Sequence, residues 1–168
     1  MSWKDTTPEQ IQESAFKLVG SDWMLITAGP IDHFNTMTAS WGGFGVIWNK
    51  PVIWCVIRPQ RYTFEFMEAA ENFTLSFLPE EFRDALFECG TKSGRDCDKV
   101  AEAGLTPVAG FTPGTTVFSE ARIIMECRKL YTHDIDPAHF LDPAIDSNYP
   151  DKDYHRMYLG EIIRCASK

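Results

Sequence analysis

The residue types able to do chemistry concentrate in one stretch, Asn35 to Thr63, which reads NTMTASWGGFGVIWNKPVIWCVIRPQRYT. Asn35, Thr36, Met37, Thr38, Ala39, Ser40 and Trp41 alternate small hydroxyl or amide groups with apolar ones. A flat polar ring needs donors and acceptors along a strand edge and apolar cover at its other end, which Trp41 would supply. The stretch closes on Arg58-Pro59-Gln60-Arg61-Tyr62-Thr63, where Pro59 ends a strand and a helix should begin. The free N–H groups of a helix start, a forked guanidinium and the Thr63 hydroxyl are what a phosphate requires. The order suits one elongated ligand with a ring at one end and a phosphate at the other. Taken singly, each piece has a plainer reading. The first would be a half-exposed strand with Thr36, Thr38 and Ser40 on its wet face, the second a solvated loop with a capping threonine.

Two smaller groups lie further on. Ser93-Gly94-Arg95-Asp96-Cys97-Asp98-Lys99 carries a glycine turn and puts Lys99 in the first turns of a helix. The helix dipole disfavours a cation there unless an anion is near, so Lys99 either meets a ligand or pairs with Asp96 or Glu102. His155 stands in a strand pattern, as a structural hydrogen-bonder or a ligand contact, with Asp153 and Tyr154 placed to fix its tautomer. His33, His133 and His139 have no metal-ligand spacing, and a hydrolytic centre built from His139, Asp151, Asp153 and His155 matches no ligand pattern. No metal is expected and no catalytic residue is assigned. Signatures for a dinucleotide fold, a P-loop and a nucleophile elbow are all missing, so a nicotinamide would have to dock transiently.

The elements that must position these residues read mainly as strands. Thr7, Pro8 and Gln10 open an N-terminal helix carried by Ile11, Ala15, Leu18 and Val19 and stopped at Gly20. Strands are expected at Trp23–Ala28, Asn35–Trp41 and Phe44–Trp48, the last two joined by Gly42 and Gly43. After a turn at Asn49-Lys50-Pro51 follow strands at Val52–Ile57, Phe73–Leu78, Glu120–Leu130 and Tyr154–Cys165. Short helices are expected at Thr63–Ala70, from Pro79 to Gly90 and at Asp96–Ala103, with a helical turn at Ala138–Leu141 in a loop. Many strands joined by short turns point to a mainly β, α+β barrel rather than to crossover units.

At 168 residues the chain is expected to form one domain, 1–168. Sixteen Lys and Arg against 24 Asp and Glu give a net charge of -8, which argues against nucleic acid or an anionic membrane as partner. In that background Arg58, Arg61, Lys92, Arg95 and Lys99 mark a place for one small anion. Five cysteines without a CxxC pair read as reduced thiols in a cytoplasmic protein. The longest apolar run, Pro51 to Ile57, is too short to cross a bilayer. Aromatic residues make up 13%, which serves either a filled barrel or an exposed dimer or ligand surface.

Six segments in order resemble the flavin reductase-like, FMN-binding split-barrel family: NTMTASWGG (Asn35 to Gly43), KPV (Lys50 to Val52), IRPQRYT (Ile57 to Thr63), SGRDCDK (Ser93 to Lys99), AGLTP (Ala103 to Pro107) and DYHRMYLGEI (Asp153 to Ile162). The resemblance implies a split β-barrel, usually a homodimer, holding FMN near the subunit interface. It implies flavin contacts from Asn35 to Trp41 and by Ser93, Lys99 and His155, with Arg58 to Thr63 beside the phosphate. The expected activity is an oxidoreductase passing electrons from NADH or NADPH through FMN to a flavin or a redox protein. A flavoredoxin-type electron carrier and a non-redox small-ligand barrel are the alternatives.

Overall fold

The computed structural model describes residues 3–168. Among these residues ten strands form: β1 (Lys4–Thr6), β2 (Met24–Ala28), β3 (Asn35–Ala39), β4 (Gly42–Ile47), β5 (Lys50–Ile57), β6 (Asn72–Phe77), β7 (Pro107–Ala109), β8 (Thr116–Phe118), β9 (Ile123–Asp134) and β10 (Arg156–Ser167). The α-helices are α1 (Tyr62–Ala69), α2 (Arg83–Thr91) and α3 (Lys99–Glu102). Eight strands make one antiparallel sheet in the order β3-β2-β6-β9-β10-β5-β4, with β1 on the far end of β10. β7 and β8 form a separate hairpin.

Barrel closure follows from the chain path. β3 and β4 end the sheet on opposite sides, yet only Ser40 and Trp41 separate them. Three residue steps reach roughly 11 Å at most, so the two sheet ends must curl towards each other. They meet without pairing, which leaves the outer edge of β3 open, and the result is the split barrel of the α+β class that the sequence suggests. Curvature is helped by register shifts in β10 against β9 at Leu159/Gly160. A methyl on Gly160 would lie 2.7 Å from the Phe73 ring, so glycine there permits the close approach of sheet and core. The barrel interior holds Ile26, Met37, Ile53, Ile57, Phe73, Leu75, Phe77 and Tyr158. A second apolar body, including Leu25, Leu86, Cys89 and Phe118, lies under α2 and the β7–β8 hairpin.

Several elements differ from their sequence patterns. The N-terminal helix is a 3₁₀ turn at Pro8–Gln10 followed by a π-helix at Phe16–Asp22, with Gly20 inside it. Thr7 N–H does donate to Gln10 Oε1 (3.1 Å), but Glu13 and Asp22 are both drawn to Arg122, 100 or more residues away. Long-range ion pairs of this kind override a local stripe. Gly42 and Gly43 belong to β4, where a methyl on either would strike the Trp54 backbone or ring. The hairpin turn is Trp48-Asn49, both at positive φ (54° and 56°), because Ile47 pairs with Lys50 in a two-residue loop. The Asp134–Pro150 region holds 3₁₀ turns at Pro137–His139 and Pro143–Asn148 rather than one at Ala138–Leu141. The β7–β8 hairpin has strands too short for periodicity to reveal. It is fastened by buried Glu126, which accepts from the N–H groups of Phe111 (2.6 Å) and Thr112 (2.7 Å).

Candidate functional site

Five cations gather at the turn after β5 and in the segment between α2 and α3, and pairing separates them. Arg58 donates to Asp153 Oδ2 (2.6 Å) and to the Asn148 carbonyl (2.9 Å). Lys92 bridges Glu88 (2.5 Å) and Glu102 (2.8 Å), and Arg95 pairs with Glu65 while lying 4.7 Å over the Tyr62 ring. Arg61 and Lys99 have no carboxylate partner among the described residues. Arg61 Nη1 donates to the Gly90 carbonyl (2.8 Å), and its Nη2 is buried without any acceptor. Lys99 is 3% exposed and donates to the carbonyls of Cys89 (3.1 Å) and Lys92 (3.2 Å), which leaves its third N–H unspent. Burial pushes the Lys99 ammonium down to about 8, with the neighbouring Arg61 charge adding to the effect, and burial also lowers Arg61. An unsatisfied buried donor such as Arg61 Nη2 costs about 1–3 kcal/mol, a cost that an acceptor placed against it would remove. Lys99 pairs with neither Asp96 nor Glu102. Both residues line one hollow of about 160 Å³, bordered also by Gln60, Tyr62, Thr63 and Ser93.

A second hollow, of about 270 Å³, runs along β3 and is bordered by Met37, Thr38, Ala39, Ser40, Trp41, Val56, Arg58 and His155. β3 pairs only with β2, so its outer backbone edge is free of strand partners among the described residues. The Trp41 and His155 rings lie 5.2 Å apart at its end. His155 is pushed down to about 4, chiefly by burial and then by the Arg58 charge, so the imidazole is neutral at pH 7. Its Nδ1 meets the Tyr149 hydroxyl at 2.9 Å. Neither anticipated neighbour fixes the ring: Asp153 holds Arg58 and Gln60, and Tyr154 donates to Asp146 (2.7 Å). Asp153 ties a wall residue of each hollow together, its Oδ2 accepting from Arg58 of one and from Gln60 of the other.

A third hollow, of about 440 Å³, is bordered by Asn35, Gly94, Arg95 and Lys99 among others. Asn35 Nδ2 donates to Thr63 Oγ1 (2.8 Å), and a methyl on Gly94 would overlap Asn35 Oδ1. Asn35, Thr63, Ser93 and Lys99 therefore converge at one corner, with Trp41 and His155 one hollow further along β3. Thr36 and Pro59 border none of the three hollows. The expected wet face of β3 is instead covered by α2. Thr36 is fully buried and meets Thr27 Oγ1 at 2.8 Å, and Thr38 donates to the Leu86 carbonyl (2.5 Å). Tyr149 was not legible as a site residue, since it stands in a Pro-, Asp- and Asn-rich loop with no periodic signal. Among the described residues no group of three or more His, Cys, Asp or Glu side chains could hold a metal ion.

Comparison with known proteins adds four findings. A family model described as flavin reductase like domain matches residues 16–167. A high molecular weight rubredoxin from Moorella thermoacetica is 35% identical over 96 residues, covering 52% of this chain and 42% of the rubredoxin, so the chain spans less than half of that relative. Among solved structures, flavoredoxin from Methanosarcina acetivorans superposes with a TM-score of 0.69 at 21% identity, covering 88% of this chain and 68% of the other. The NADH:FAD oxidoreductase SgcE6 of Streptomyces globisporus C-1027, in complex with NAD and FAD fragments, superposes with a TM-score of 0.65 at 18% identity, over 88% and 74% of the two chains.

Proposed function

This chain belongs to the flavin reductase like domain family, and from that membership and the hollows along β3 and at the start of α1 we propose that it is an FMN-binding oxidoreductase of the flavin reductase type. Its whole length, 1–168, is taken as one flavin-binding domain. Electrons pass from NADH or NADPH through FMN to a flavin or a redox protein. The observation that carries this reading is the pair of unpaired cations, Arg61 and Lys99, at one end of an open strand edge.

The residues fit the cofactor. Arg61 Nη2 and the spare Lys99 N–H suit a phosphate, and Ser93 and the start of α1 border the same hollow. The free edge of β3 suits the polar rim of a ring, and Trp41 supplies apolar cover. FMN, when bound, supplies the two-electron chemistry between donor and acceptor. The chain's own share is binding and orientation. Arg61 and Lys99 would hold the phosphate, the β3 edge would offer backbone groups to the ring, and neutral His155 would line the same hollow without adding charge. Trp41 excludes water from one side.

The solvent-exposed Trp41, Val46, Ile47, Trp48 and Trp54 on β4, β5 and their turns support a homodimer that would cover them. Five free cysteines, four of them buried, support a cytoplasmic setting. No described helix is long and apolar enough to cross a membrane. Mixing the FMN-loaded protein with NADPH or NADH in an anaerobic stopped-flow instrument tests the activity. Bleaching of the flavin absorbance is expected, and no bleaching with either donor would overturn it. A second reading, a flavoredoxin-type carrier, is favoured by the likeness to flavoredoxin and to the rubredoxin relative. It predicts no bleaching by nicotinamide but reduction through an added redox protein.

A further inference from the structure

Tyr149 is 3% exposed and is held on several sides: the Arg58 guanidinium stands 5.1 Å over its ring, and Phe140 and Tyr154 pack at 6.2 and 4.9 Å. Its hydroxyl has one polar partner among the described residues, His155 Nδ1, at 2.9 Å. A phenol has one proton to give, and a buried one that gives it to nothing loses a hydrogen bond. Were Nδ1 the protonated nitrogen, it would donate to the phenol oxygen and leave the phenol proton without an acceptor. If the phenol donates instead, Nδ1 is the acceptor and the ring's single proton sits on Nε2. Nε2 has no partner among the described residues, and the ring borders the hollow beside β3. Burial keeps Tyr149 protonated by raising it above the ordinary phenol range, and holds His155 neutral.

We propose that Tyr149 is a positioning residue that fixes His155 in its Nε2–H tautomer, so that the imidazole presents a neutral hydrogen-bond donor to an acceptor atom of the ligand lying along β3. The identity of that ligand rests on the flavin reading above; the tautomer does not. The consequence is selective. A ligand must offer a carbonyl or an unprotonated ring nitrogen at this end of the hollow, and one offering a donor there is rejected. The arrangement depends on the 3₁₀ turn at Pro143–Asn148, which brings Tyr149 back over Arg58 and onto the start of β10.

The test is a long-range ¹H–¹⁵N correlation spectrum of the four imidazoles at pH 7 in the ligand-free protein, with His155 assigned by its loss in His155→Gln. The expected wild-type signature is protonated Nε2 and unprotonated Nδ1. Tyr149→Phe keeps the ring packing and removes the donated proton, so the His155 signals should move towards a mixture of tautomers. FMN affinity, read by fluorescence quenching, should weaken roughly threefold to tenfold in that variant. A wild-type Nδ1–H signature overturns the proposal without any variant. An unchanged Tyr149→Phe spectrum, or a changed one with unaltered FMN affinity, overturns it too. Should the wild type show Nε2–H and yet bind no FMN, the tautomer assignment stands and the flavin reading falls.

Discussion

At the scale of single residues, carboxylate pairing decides which cations remain for a ligand. Arg58, Lys92 and Arg95 are neutralised by carboxylates, and Arg61 and Lys99 are not. Sequence named all five cations and even the oddity of Lys99 at a helix start. It could not name which were spent, because Asp153, Glu88 and Glu65 come from three different elements. The lowered ammonium gives Lys99 a pH signature. The folded chain holds fewer protons than the unfolded one between pH 8 and 10.5, so stability of the ligand-free protein should rise across that window, by up to about 3 kcal/mol. Denaturant unfolding at pH 7, 9 and 10.5 reads this, and Lys99→Met should abolish the Lys99 part of the slope. FMN affinity should move the other way. If Lys99 receives the phosphate as proposed, affinity should fall as pH rises through 8 with the loss of that cation, and Lys99→Met should already be weak at pH 7. A pH-independent FMN affinity between 7 and 9 would contradict the assignment.

At the scale of elements, the segment between α2 and α3 acts as a strap across the start of α1. Arg95 reaches the Gln60 carbonyl (3.1 Å) and Glu65, and Gly94 presses on the Asn35 amide that holds Thr63. The strap was visible in sequence only as a glycine turn near charges, since the partners of Arg95 and Gly94 lie 30 or more residues away. Gly94→Ala has to push either the strap or Asn35 aside. The expected cost is about 1–3 kcal/mol, seen as a Tm lowered by several degrees, with FMN affinity reduced in parallel. An unchanged Tm would show that the strap yields freely and does not organise the corner. Strand positions were legible to within a few residues because alternation survives burial of one face. The N-terminal helix and the β7–β8 hairpin were not, because Arg122 and Glu126 set them from afar.

At the scale of the whole molecule, the fold was legible through order and through one short link. Two residues between β3 and β4 bring the sheet ends together, and the open seam they leave runs beside the hollow proposed to take the flat ring. At the far end of β4 from that link, the hairpin tip leaves Val46, Ile47 and Trp48 in solvent, at 77%, 39% and 57% exposure, a larger apolar surface than a hairpin tip carries without a use. Sedimentation equilibrium should give twice the 19.1 kDa chain mass. Trp48→Asn suits the positive φ at that position and should weaken the dimer at least tenfold, roughly 1.4 kcal/mol, without loss of fold. A monomer at micromolar concentration would remove the dimer from the account while leaving the flavin site intact.

The most direct measurement compares FMN with riboflavin, which shares the ring and lacks the phosphate, by fluorescence-quenching titration of the purified protein. A phosphate received by Arg61 and Lys99 and a ring received by β3 predict one FMN per chain, bound at least tenfold more tightly than riboflavin. Equal affinity for the two, or no binding of either, would contradict the central claim.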